Sequence, residues 1–229
     1  MPEPAPNPEI LPALGRVVRG LSLLFWCLPL LLLVYVQTAR TDLFRPLGWF
    51  ALVPALVVTS LLWLAMRQMG KFRQDNQPWA RELERGQFLL LVNLGLIPFL
   101  VLYHRAPLVP INSGSVGLLG VSTVLFLYRA NLIIGRLTDL LPDEPLRHEA
   151  RLFTSFNRMV LLCIPILLGI FWALGLIPTM PVFVARILMG LEELGPWMVV
   201  FLILLPTAMT MTLTWKVKEF ILHSVFSGR

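Results

Sequence analysis

Apolar residues in this chain run in continuous blocks rather than in alternation. Six blocks are evident, at 20–38, 47–66, 87–103, 116–134, 159–177 and 197–215. Each approaches the roughly twenty residues that a helix needs to cross the hydrocarbon core of a bilayer. The pattern predicts an all-α polytopic membrane protein with six transmembrane helices. Open sheets are excluded because their edges leave backbone groups unpaired in lipid. Outer-membrane barrels are excluded because their strands alternate apolar and polar residues. Residues 1–11, polar and Pro-rich, predict a mobile tail. They do not read as a cleavable signal, since no charged segment leads directly into a short apolar core.

The blocks echo one another. "CLPLLLLVY" at 27–35 returns as "CIPILLGIF" at 163–171, and "LIPFLVLY" at 96–103 lies between them. Pro29, Pro98 and Pro165 stand 69 and 67 residues apart. A competing alignment exists, because "LGLIP" at 94–98 recurs at 174–178. The flanks favour the first. Before each odd block stands a Pro and a short Arg-bearing segment: "PALGRVVRG" from Pro12, "PWARELERG" from Pro78 and "PLRHEARLF" from Pro145. After each even block comes a basic residue among aromatics, as in "LWLAMRQMGKF", "LFLYRANLIIGR" and "LTWKVKEF". This predicts three parallel two-helix hairpins of about 67 residues, at 12–77, 78–144 and 145–229. Two helices per unit give every unit the same orientation, so any pseudosymmetry axis runs along the membrane normal.

Composition agrees with a lipid environment: 57% of the 229 residues are hydrophobic and only 14% charged. Charge placement adds an orientation. With the spans numbered in order, 15 of the 19 Lys and Arg fall on the side that holds both termini. Only Arg40, Arg45, Arg105 and Arg186 fall on the other. That bias predicts cytoplasmic termini. Arg in large excess over Lys is compatible with a GC-rich bacterial genome, hence an inner (cytoplasmic) membrane. The positive charge is assigned to topology and lipid headgroups, not to nucleic acid.

Candidate functional residues are few. Hydroxyl pairs sit at similar depth in the even spans: Thr59 and Ser60, Ser122 and Thr123, Thr207 and Thr210. Facing one axis they would form a polar constriction; ordinarily such residues join helices or bond to their own backbone. Arg129 and Asn131 lie in the last third of the fourth span. A charge at that depth is costly unless it snorkels or pairs. Asn93, in the third span, is an interhelical hydrogen-bond candidate. The outer loop "TMPVFVARILMGLEELGP" carries an apolar run too short to span. It predicts an interfacial helix at 181–194, with Arg186, Glu192 and Glu193 as candidate partner contacts.

Catalysis finds no support. His104, His148 and His223 lie at span ends or in cytoplasmic segments, and no metal-ligand spacing occurs. Ser115 near glycines lacks the nucleophile frame and a His partner. No cofactor or metal is implied, and the expectation is a non-enzyme. Acidic residues in "RELERG" read as solvated ion pairs, and no Asp, Glu or His is placed inside a span. The leading expectation is therefore a non-catalytic membrane subunit or scaffold, partnered by lipid and other membrane subunits. The alternative is a small channel or transporter with a solute path between three hairpins.

Overall fold

A computed structural model describes residues 10–40, 48–70, 72, 77–139, 141, 144–175 and 182–226. The described side chains exclude 182–200 and a few at other helix ends. The described residues form seven α-helices: α1 (Ile10–Arg40), α2 (Leu52–Gly70), α3 (Gln77–Leu96), α4 (Pro98–Arg105), α5 (Pro110–Asp139), α6 (Glu144–Gly175) and α7 (Val182–Phe226). Among the described residues there is no strand. Among the described residues, five helical stretches are long and apolar enough to cross a membrane: Pro12–Ala39, Gly48–Gly70, Gln77–Arg105, Pro110–Asp139 and Arg147–Leu167. This is the architecture of a multi-pass membrane protein. Large apolar side chains such as Trp26, Phe50, Phe88 and Phe201 are exposed on its exterior. Such a surface suits lipid, whereas soluble proteins rarely expose large contiguous apolar patches.

The helices extend beyond the apolar blocks. The Arg-bearing segments after Pro12, Pro78 and Pro145 are the opening turns of α1, α3 and α6, continuous with the apolar stretches that follow. Pro29 and Pro165 lie inside unbroken helices. At the third position the chain does break, with Ile97 separating α3 from α4. Pro98 has no N–H to offer the Leu94 carbonyl. The chain keeps the Ile97 N–H on the Asn93 carbonyl at 3.0 Å and tightens to an i+3 bond from Leu100 N–H to the Ile97 carbonyl. A four-residue turn then leads into α5, and Asn112 closes it by donating to the Leu102 and Ala106 carbonyls at 3.3 and 3.0 Å.

The largest departure from the sequence pattern is α7. The expected interfacial helix at 181–194 and the expected span at 197–215 form one helix of 45 residues, roughly 67 Å long at 1.5 Å per residue. Neither Gly195–Pro196 nor Pro206 ends it. A proline inside a helix removes one backbone hydrogen bond, whereas unwinding in an apolar setting strands several.

Packing is cyclic. Each long helix packs on the next, α1 on α2, α2 on α3, α3 on α5, α5 on α6 and α6 on α7, and α7 closes back onto α1. The short α4 fills between α1 and α5, and α5 also reaches α7. Burial makes α5 the centre: 56% of its apolar window is buried, against 28% for α6. Leu24, Leu28, Leu62, Leu90, Phe126 and Ile133 lie in the common core.

Candidate functional site

The polar chemistry gathers toward the end of the bundle where α1, α3 and α6 begin and α2, α5 and α7 finish. Its hub is Glu82. In α3 the buried positions are Trp79, Glu82, Leu83, Gly86, Leu90 and Asn93, one face at helical spacing. Glu82 thus falls on the core face and is 4% exposed. Its Oε2 accepts from Arg129 Nη1 of α5 at 2.8 Å, and its Oε1 meets Arg85 Nη1 at 3.1 Å. Arg136 Nη2 approaches Oε1 at 3.4 Å. Arg136 Nη1 also donates to the Pro78 carbonyl. One carboxylate therefore gathers three guanidinium groups and joins α3 to α5. Tyr128 lies beneath two cations, with Arg129 and Arg158 at 5.9 and 5.4 Å from its ring centre.

This changes the reading of two residues. Arg129 pairs with Glu82 as well as reaching the surface, so its charge at depth is met. Glu82 is not a solvated partner of Arg85 alone: it is a buried acid inside the helical stretch Gln77–Arg105. Glu82 lies before the apolar block at 87–103, on a helix that begins ten residues ahead of that block. The signal was present, since Glu82 lies three residues after Trp79 and four before Gly86 on the apolar stripe.

A second knot joins three helices. Thr210 of α7 donates to its own Pro206 carbonyl at 2.7 Å. It accepts from Asn131 Nδ2 of α5 at 2.6 Å and from Asn157 Nδ2 of α6 at 2.9 Å. A hydroxyl has one donor and two acceptor lone pairs, and all three are used. Asn157 also donates to the Pro206 carbonyl at 3.2 Å. Sequence reasoning missed Asn157, although its spacing with the buried residues Ala150, Thr154, Leu161 and Ile164 puts it on the core stripe of α6.

The other candidates disperse. Asn93, fully buried, donates to Thr123 Oγ1 at 3.4 Å, which in turn donates to the Leu119 carbonyl at 2.8 Å. Ser122 is buried beside it, and Ser122 Oγ has no partner among the described residues. Thr207 donates to the Ile203 carbonyl at 2.7 Å. In α2, Thr59 bonds the Ala55 carbonyl and meets the Tyr35 hydroxyl of α1 at 3.0 Å. One hydroxyl of each pair thus serves a separate interface: Thr59 joins α1 with α2, Thr123 joins α3 with α5, and Thr210 joins α5 with α6 and α7. Arg186, Glu192 and Glu193 lie outside the described side chains.

At the same end Glu149 of α6 bonds Lys216 of α7, and Arg151 bonds Asp139 at 3.0 Å. Cys27 and Cys163 are both free thiols. Among the described residues no three His, Cys, Asp or Glu side chains gather to hold a metal ion. What the arrangement does chemically is tie helices: charged and amide groups are matched across α3–α5, α6–α7 and α5–α6–α7. Comparison with protein-family models, curated proteins and solved structures returns no match.

Proposed function

We propose that this chain is a non-catalytic integral membrane subunit or scaffold of a larger membrane protein complex. In this reading it lies in a bacterial inner membrane with both termini cytoplasmic, built from three parallel hairpins. The observation that carries the reading is the use of the interior polar groups. Arg129, Asn131, Thr123 and Thr210 each bond a neighbouring helix or their own backbone rather than share one axis. An apolar body in which these groups are committed to joining helices suits assembly more than conduction.

The hairpin reading draws support from paired charges. Glu82 stands four residues after Pro78, and Glu149 four after Pro145. Each bonds a basic residue toward the C-terminal end of the even helix of its own unit, Arg129 in α5 and Lys216 in α7. The same link recurs at matching positions in two units.

Extraction in mild detergent tests the proposal. Partners travelling with the chain at fixed stoichiometry are the expected result, weakened by Arg186→Ala with Glu193→Ala at unchanged expression. A lone chain that conducts solute in liposomes, and loses conduction on Ser122→Leu, would overturn it in favour of the channel reading.

A further inference from the structure

Among the described residues, the charge link found in two hairpins has no counterpart in the first. Four residues after Pro12 stands Arg16, where the other units carry Glu82 and Glu149. The basic residue closing α2 is still present as Arg67, resting on the Trp63 ring at 5.5 Å. Neither α1 nor α2 contains an Asp or Glu. Among the described residues neither Arg16 nor Arg67 meets a carboxylate, and both are exposed. The two helices are nonetheless in close contact there. A Cβ on Gly20, one turn after Arg16, would stand 2.6 Å from Met69 Cγ and 2.9 Å from the Ala65 carbonyl oxygen. Arg16 and Arg67 therefore sit at the same end of one tightly packed antiparallel pair.

We infer that the Arg16–Arg67 end of the first hairpin binds the phosphate of an anionic lipid headgroup, which takes the place of the missing carboxylate. Arg forms charge-assisted, often bidentate bonds with phosphate. Basic residues at the headgroup level attract anionic lipid. Lipid is favoured over a protein carboxylate because Arg67 borders the apolar exterior, three residues after the exposed Leu64 of α2, and Arg16 lies at the same end of the hairpin. The comparison among units rests on the hairpin reading; the two arginines, which meet no carboxylate among the described residues, do not.

The test uses the purified full chain, reconstituted in vesicles of phosphatidylcholine and phosphatidylglycerol in equal parts, re-extracted, with retained lipid measured by native mass spectrometry. Wild type should retain phosphatidylglycerol preferentially. Arg16→Gln or Arg67→Gln should each weaken that retention about fivefold. Arg16→Glu supplies the carboxylate internally and should abolish the preference while keeping the thermal midpoint at or above wild type. Arg151→Gln, which changes an arginine already paired with Asp139, should leave retention unchanged. Equal retention in wild type and all three variants at Arg16 and Arg67 overturns the inference. So does displacement of the lipid by inorganic phosphate alone, which would make the free ion the ligand. Loss of co-purifying proteins in Arg16→Gln, with no lipid preference in wild type, would replace lipid by a partner's carboxylate.

Discussion

Glu82 shows how one side chain can set the terms for a region. Its carboxylate is nearly buried, so its charge is tolerable only because three arginines surround it. Removing the charge leaves Arg129 without its matched acceptor. Glu82→Gln is expected to lower stability by about 1–3 kcal/mol, seen as a lower thermal midpoint in mild detergent. Adding Arg129→Gln should then cost less than the single changes summed, because the two act as one unit. Independent, additive effects would show that Arg129 is served by water at the surface instead. Thr210 makes the parallel case for neutral groups. Thr210→Val strands the Asn131 amide, leaves Asn157 only the Pro206 carbonyl, and is expected to cost roughly 0.6–2 kcal/mol. Thr212→Val, at an exposed hydroxyl that only bonds its own helix at the Ala208 carbonyl, should stay within about 0.5 kcal/mol. Equal effects at the two sites would contradict the three-helix knot.

Among the elements, α1 and α2 approach closely at Gly20, whose lack of a side chain permits it. Met69 can swing aside from an added methyl, but the Ala65 carbonyl is backbone and cannot without moving the helix. Gly20→Ala should therefore destabilise by about 1–3 kcal/mol, despite the better helix propensity of Ala. Gly95→Ala, where nothing lies within 4 Å of the added carbon, should be neutral or mildly stabilising by the same unfolding measurement. The reverse ranking would mean that α1 and α2 are further apart than described. The break at Ile97 and the continuity of α7 carry a related lesson. Prolines at comparable places have different outcomes, since the neighbouring helix decides whether a lost backbone bond becomes a break or is absorbed.

For the molecule as a whole, the cyclic order of helices leaves apolar side chains outward and polar links near one end. The proposed orientation rests on where the arginines lie, and labelling can measure it. In a background with Cys27→Ala and Cys163→Ala, Leu108→Cys at the opposite end should react with a membrane-impermeant thiol reagent on intact cells. Arg151→Cys should react only after the membrane is opened. The inverse pattern would reverse the topology and remove the basis for cytoplasmic termini. Leu108 is a suitable probe because it is 94% exposed in the short turn before α5.

Much of this was legible in the one-dimensional pattern. The apolar blocks located the helices, and Arg129, Asn131, Asn93 and Thr210 were already marked as polar groups at depth. The helical stripe through Trp79, Gly86 and Leu90 held Glu82 as well, but "RELERG" also reads as a solvated turn, and the Arg85 contact satisfies that reading. Spanning length is a local property, a sum of transfer free energies along one segment, and the residues themselves therefore determined it. Which helix lies beside which is not local. Asn131 finding Asn157 through Thr210, Glu82 finding Arg129 and α7 running unbroken through Pro206 each depend on small differences between competing packings. Only the tertiary structure decided them, because a buried polar group is stable solely where a partner at a distant point in the chain arrives to meet it.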